Sequence, residues 1–407
     1  MLPAPELIAM GLSAATERFA AELARPRSSA PAWSDFEWQM ARAAAVLHGI
    51  TPLLASTLRW SGPASWQAFV REQRHQTHLR YRRIAAALND IDARATSRGL
   101  AVVALKGAAL HALGVYSAGE RPMADIDLLV RTADARRAAE MLAALGYRQT
   151  AATWKHQVFE PAQYAATAAL PVGEHEDYPV KVELHTRIAE RMPLTETAIT
   201  PWILPPHPKP GLNPYPSNNA LLLHLLLHAA GNMSTRALRL MHLHDIARLA
   251  ARATCEDWEE LLAAAPAPSA PWWALPPLEL LTRYQPGLVP LHVLAELRAN
   301  CPWALRRLCR RATLTQMSYV SLAICAFPGM PWCTSLGERL RYVRQRIVPG
   351  AEQRAARRVT AAEQWAVQRS WSHLSQGRRA LQWLVSRPPR QAAMYIVQAV
   401  LENPLQS

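Results

Sequence analysis

The sequence predicts an α+β fold, with a small mixed-sheet core flanked by helical regions on its N-terminal and C-terminal sides. Three observations carry this expectation. Short apolar runs at residues 100–105 and 124–130 bracket a helical stretch. The segment YPVKVELH, residues 178–185, alternates with a period of two. On either side of these strands the chain turns Ala-rich or Arg-rich, with helical periodicity broken at Pro and Gly.

Residues 1–98 form the expected helical N-terminal subdomain, with breaks at 26–33, 49–52 and 62–63. Its last helix, residues 66–98, is rich in Arg and Gln, and its charged side chains are expected to face solvent. The α/β core follows over residues 99–197. After the second apolar run a helix is expected over 134–145, with Thr132 as N-cap and Gly146 as its stop. Strands are then expected at 154–159, 163–170 and 178–185. Residues 198–216 hold seven prolines and are expected to be a non-helical linker. Ser217 then caps the helix NNALLLHLLLHAAG, which opens a helical region over 217–290. Residues 291–407 are expected to be Arg-rich helices.

At 407 residues, half of them hydrophobic, the chain exceeds one ordinary core. It carries 45 Lys+Arg against 31 Asp+Glu, a net charge of +14. The excess sits almost wholly after residue 300, where 16 Arg face 4 acidic residues. This basic end is expected to be either a solvated helix face or a docking surface for a polyanion or an anionic membrane surface. Five cysteines without a C-x-x-C pair indicate neither a disulfide framework nor a zinc knuckle. No signal peptide and no transmembrane segment are expected, and the whole pattern fits a cytoplasmic protein.

The candidate chemistry lies at the ends of the strands. In a strand beginning at Asp125, the carboxylates of Asp125 and Asp127 share one face, while Ile126 and Leu128 share the other. Two bare carboxylates so placed repel each other, and a hard divalent cation, Mg²⁺ or Mn²⁺, removes that penalty. The same tripeptide occurs at Asp90-Ile91-Asp92, but in a helical context, where positions i and i+2 point apart and form no metal face. The period of two likewise sets Lys181, Glu183 and His185 on one face of the later strand. Only four lysines, Lys106, Lys155, Lys181 and Lys209, occur in this Arg-preferring chain, so a Lys beside a phosphate site stands out.

Lys106-Gly107, Tyr116, Arg121, Asp125-Ile126-Asp127 and Val182-Glu183-Leu184-His185 together resemble the polymerase-beta-type nucleotidyltransferase superfamily. The closest likeness is to its branch of uncharacterised bacterial nucleotidyltransferases. That branch also shows a His, a basic residue and Asp-Ile-Ala, matched here by His228, Arg239 and Asp245-Ile246-Ala247. The resemblance implies an NMP transferase, AMP favoured, that uses an NTP donor and a small-molecule, peptide or protein acceptor. It implies that Asp125, Asp127 and Glu183 hold the metal ions and that Lys106, the Gly107 amide and Arg121 bind the triphosphate. It also implies an all-helical region closing on the site, with His185, His228, Arg239 and Asp245 as accessory residues.

Two rival functions follow from other features. One is a non-catalytic protein of the same fold that docks through its basic C-terminal helices. The other is a zinc hydrolase built on His224, His228, His242 and Asp245, since His and Asp are zinc ligands.

Overall fold

The computed structural model describes residues 2–163, 172–264, 270–348 and 389–403, together with positions 350 and 378. The strand expected at 163–170 therefore falls almost wholly outside the described residues. Four helices open the chain: α1 (Pro5–Ala24), α2 (Asp35–His48), α3 (Thr51–Thr57) and α4 (Ala64–Ser97). Helix α2 is set at both ends by its sequence. Ser34 and Glu37 satisfy each other's backbone amides, and Gly49 closes the helix with a left-handed φ of 66°.

The strands are β1 (Ala101–Ala104), β2 (Asp125–Leu129), β3 (Tyr147–Ala152), β4 (His156–Pro161), β5 (Lys181–His185), β6 (Ala189–Arg191), β7 (Glu196–Ala198) and β8 (Gly211–Asn213). Six of them form one sheet in the order β3-β4-β5-β2-β1-β8, while β6 and β7 make a separate hairpin. The β2–β5 and β1–β8 pairs are parallel and the others antiparallel, so the sheet is mixed. Helix α5 (Lys106–Ala112) follows β1, and α6 (Ala135–Ala144) follows β2.

One sheet face is apolar. Ile126, Leu128, Val182 and Leu184 pack with Ile84 and Ile91 of α4 and with Met141 and Leu142 of α6. The period of two then commits Asp125, Asp127, Glu183 and His185 to the opposite face. On that side stand α8 (Asn218–Ser234), capped by Ser217, and α9 (Leu240–Ala250). Further helices follow: α10 (Cys255–Ala263), α11 (Leu275–Tyr284), α12 (Leu291–Asn300), α13 (Trp303–Cys309), α14 (Leu314–Met317), α15 (Leu336–Ile347) and α16 (Gln391–Glu402), with α7 (Thr200–Ile203) before β8. The N-terminal helices and α8–α13 share one apolar core, and α2 packs on α16.

Four expectations need correction. The helix after β2 begins with a 3₁₀ turn, Thr132–Asp134, and Thr132 does not cap it. The Pro-rich segment contains one helical turn, α7, because Pro201 stands in its first turn, where no amide bond is lost. The same segment supplies β8 at the sheet edge. Asp92 is not simply solvated, since its carboxylate accepts from the Leu212 amide at 2.7 Å and anchors β8 to α4. Nor does every charge on α4 face solvent: Arg80 is 3% exposed. Its guanidinium donates to the carbonyls of Met123, Ala124, Tyr178 and Pro179 at 2.8–3.2 Å. It thereby clamps the two chain segments that lead into β2 and β5.

Candidate active site

Between β1 and α5 the chain turns sharply at Lys106, whose φ of 46° is rare for a residue with a Cβ. Its amide donates to the Tyr215 hydroxyl at 3.2 Å, and that hydroxyl pairs with His224 Nδ1 at 2.7 Å. The turn aims the Lys106 ammonium at Asp127 Oδ1, 2.8 Å away. Gly107 follows because a side chain there would collide with the Arg121 guanidinium and with Met123.

Parallel pairing of β2 with β5 puts Asp125 opposite Lys181 and Asp127 opposite Glu183. The three carboxylates therefore meet on one face, as the alternation of each strand predicts. His185 Nε2 lies 3.0 Å from Asp127 Oδ1 and 3.5 Å from Glu183 Oε2. Antiparallel pairing of β4 with β5 sets His156 opposite His185, with His156 Nδ1 3.4 Å from Glu183 Oε2.

The electrostatics of this face are uneven. Burial and the neighbouring Asp127 and Glu183 charges push Asp125 up to about 7. Among the described residues no donor reaches the Asp125 carboxylate. Asp127 is also buried, which alone would raise its pKa, yet Lys106 and the His185 hydrogen bond hold it well below the usual carboxylate range. Burial opposes charge on Lys106 too, but the three carboxylates raise its pKa. His185 is raised against burial by its bonds to Asp127 and Glu183, whereas burial takes His156 down to about 4.

A cavity of about 620 Å³ opens over these groups. Asp125, Asp127, Glu183, His185, Lys106, Gly107 and Arg121 line it from the sheet side, and His228, Arg239 and Asp245 from α8, the start of α9 and α9 itself. The structure thus gathers the expected catalytic, nucleotide-binding and accessory residues around one space. Their contacts differ from expectation at Arg121. Its guanidinium grips Asp245 with two bonds of 2.9 and 2.7 Å, and Tyr116 donates to the same carboxylate at 2.9 Å. Arg121 therefore ties the sheet domain to α9.

The proposed zinc cluster is not assembled. His224 is engaged by Tyr215, His228 Nε2 lies 3.1 Å from the Asn232 amide nitrogen, and Asp245 is held by Arg121 and Tyr116. His228 and His242 stack edge to face, with centroids 5.0 Å apart. Among the described residues the one group of three or more His, Cys, Asp or Glu with converging ligand atoms is His156, Glu183 and His185.

Sequence reading missed His156, Tyr215 and Glu190. Glu190 lines the cavity, pairs with Lys155 at 2.5 Å and approaches α8 so closely that Gly231 has no room for a side chain. None of the three carries a local signal, because each reaches the site through long-range pairing.

The model of a family described as uncharacterised nucleotidyltransferases matches residues 34–272. The chain belongs to this nucleotidyltransferase family. The match begins within α2's capping turn and ends after α10, so it takes in the whole sheet, both helices above it and every cavity-lining residue but Tyr319. No curated protein and no solved structure matches the chain. Membership supports a nucleotidyl-transfer role and, with it, an NTP donor. No helix among the described residues is long and apolar enough to cross a membrane.

A divalent cation suits the donor set of this member of the nucleotidyltransferase family. Asp125, Asp127 and Glu183 share one sheet face, the ligand atoms of His156, Glu183 and His185 converge beside them, and among the described residues neither the Asp125 carboxylate nor the buried His156 Nδ1 has a hydrogen-bond partner.

Proposed function

We propose that the protein transfers an NMP, AMP favoured, from an NTP to an acceptor hydroxyl, amine or protein side chain, with Mg²⁺ or Mn²⁺ as cofactor. The supporting observation is the in-register meeting of Asp125, Asp127 and Glu183 on one sheet face beside Lys106, at the floor of one cavity. Asp125, Asp127 and Glu183 would hold the metal, which when bound neutralises phosphate charge and lowers the pKa of an acceptor oxygen.

Each protein group then has a task. Lys106, fixed through its amide by Tyr215 and through its ammonium by Asp127, sets a positive charge at the lip of the carboxylate floor. The Gly107 turn brings backbone close to the same lip, where a triphosphate would lie. Arg121 adds positive potential but is oriented by Asp245, which makes it a positioning residue for the turn at Gly107. Without an ion, His185 Nε2 holds Asp127 in one rotamer and keeps it ionised, and the same nitrogen lies 3.5 Å from Glu183 Oε2, where it would exchange the Asp127 bond for a metal. The helices α8 and α9 form the far wall and exclude water from the reacting phosphorus.

A cytoplasmic location belongs to this reading and rests on five free cysteines. The docking surface expected in the Arg-rich region 291–407 includes Arg354, Arg357 and Arg358, which lie outside the described residues.

The test is incubation of the purified chain with each α-labelled NTP, Mg²⁺ and cell extract. Label moving to a metabolite or macromolecule, and absent when Asp127→Asn replaces the wild type, supports the reading. Absence of any labelled product with all four NTPs and either metal counts against it.

A further inference from the structure

We propose that His156, Glu183 and His185 form a nitrogen-rich metal subsite beside the Asp125 and Asp127 carboxylates, selecting a divalent transition ion such as Mn²⁺ over Mg²⁺. This deepens the nucleotidyl-transfer reading and rests on it for what the ion does, while the subsite itself rests on geometry alone.

One ligand atom from each of the three residues lies within 4.8 Å of the others. The arrangement comes from the sheet register: His156 and His185 face each other across β4 and β5, and Glu183 stands two residues before His185 on the same face. The two imidazoles meet edge to face, with centroids 4.9 Å apart. His156 Nδ1 is buried, makes no hydrogen bond among the described residues and lies 3.4 Å from Glu183 Oε2, so in the tautomer protonated at Nε2 its lone pair faces the cluster. Ordinary packing leaves such an atom costly, and a cation removes the cost.

The nearby ammonium groups do not fill this role. Lys106 is engaged by Asp127, and Lys155, next in sequence to His156, reaches away to Glu190 at 2.5 Å. Glu183, which is about one-fifth exposed at its side chain, faces the cavity and joins the subsite to the carboxylate floor.

Donor chemistry then separates the ions. Mg²⁺ prefers an all-oxygen shell and keeps much of its water, so two imidazoles offer it little. Mn²⁺ and its heavier neighbours accept imidazole together with carboxylate. The Asp125 and Asp127 side of the cavity presents oxygen ligands, and the His156 side presents nitrogen, so the same floor has two faces of different metal preference.

The test uses the full chain stripped with a chelator and Mn²⁺ as the probe, followed by electron paramagnetic resonance. The expected result is Mn²⁺ bound with pulsed-resonance modulation from imidazole nitrogen, retained in a roughly hundred-fold excess of Mg²⁺. His156→Ala and the milder His156→Gln, each checked for native circular dichroism, should weaken Mn²⁺ binding at least about ten-fold and diminish the nitrogen modulation. Bound Mn²⁺ without nitrogen coupling, displacement by equimolar Mg²⁺, or wild-type Mn²⁺ affinity in a folded His156 variant would each overturn the subsite. Nitrogen-coupled Mn²⁺ in a protein that transfers no α-phosphorus would uphold the subsite and sink the transfer reading. Mg²⁺-supported transfer without nitrogen coupling would do the reverse.

Discussion

Two faces of the cavity are equally rich in residues that bind metals or protons, yet they differ in how those residues are partnered. On the β2–β5 face, three carboxylates share one side of the sheet, and among the described residues Asp125 has no donor and His156 keeps an unpaired buried nitrogen. On the α8–α9 face, Asp245 takes bonds from Arg121 and Tyr116, and His224 shares one with Tyr215. The first arrangement is costly without a ligand, whereas Asp245 and His224 in the second are satisfied without one. Counting partners, more than counting residue types, separates a reactive face from a bracing one.

The largest expected effect breaks the bracing face. Asp245 is 1% exposed, and Asp245→Ala would leave the Arg121 guanidinium buried and unpaired. Denaturant unfolding should show a loss of about 3–5 kcal/mol. Replacing both partners, Arg121→Met with Asp245→Leu, should recover a large part of that loss, because no uncompensated charge remains.

On the reactive face the effect should fall first on rate. Asp125→Asn should slow transfer by at least about a hundred-fold, or about 2.7 kcal/mol, with an unfolding midpoint near wild type, whereas Asp127→Asn should slow transfer as much and also lower the midpoint, because it takes the carboxylate from Lys106. For Asp125 a neutral amide even relieves the like-charge crowding that pushes its carboxyl up to about 7. Equal loss of stability on both faces would erase the distinction.

A pH titration sharpens the contrast. His244 on α9 is 8% exposed with no partner among the described residues for either ring nitrogen, and burial takes it down to about 4. After burial, Asp245 favours its protonation, Arg248 disfavours it and Glu120 favours it. Its folded pKa lies below the unfolded value of about 6.5, so the unfolded chain takes up the proton first. The stability of the neutral ring is thus whole above pH 6.5 and lost as pH falls toward 4, at up to about 1.4 kcal/mol per pH unit. His244→Phe should flatten that part of the stability curve without changing the unfolding free energy near pH 8 by a comparable amount.

The smallest effect concerns the upstream Asp-Ile-Asp. Asp92→Ala removes the acceptor for the Leu212 amide and should cost about 1 kcal/mol in unfolding, with transfer unchanged.

Much of the reactive face was legible because a strand's period of two is local. Ile126 and Leu128 pointing one way dictate where Asp125 and Asp127 point, and YPVKVELH does the same for Glu183 and His185. The helix beginning at Ser217 was legible through its cap. What stayed hidden depends on pairing between distant segments. His156 reaches the site through the β4–β5 register, and Tyr215 comes from a Pro-rich stretch that gave no sign of approaching Lys106. Edge strand β3, whose side chains are mostly exposed, has no apolar alternation to read. Arg80 resembled any other charge on a long helix until the carbonyls it holds were in place.

The central claim is that the carboxylate face moves the α-phosphorus of a nucleotide. Parallel reactions with α-labelled and γ-labelled NTP, run with the wild-type chain and its acceptor, test this most directly. The account predicts α-label in the acceptor product and γ-label in released pyrophosphate. Transfer of the γ-label to the acceptor, or its release as free phosphate without any α-labelled product, would contradict it.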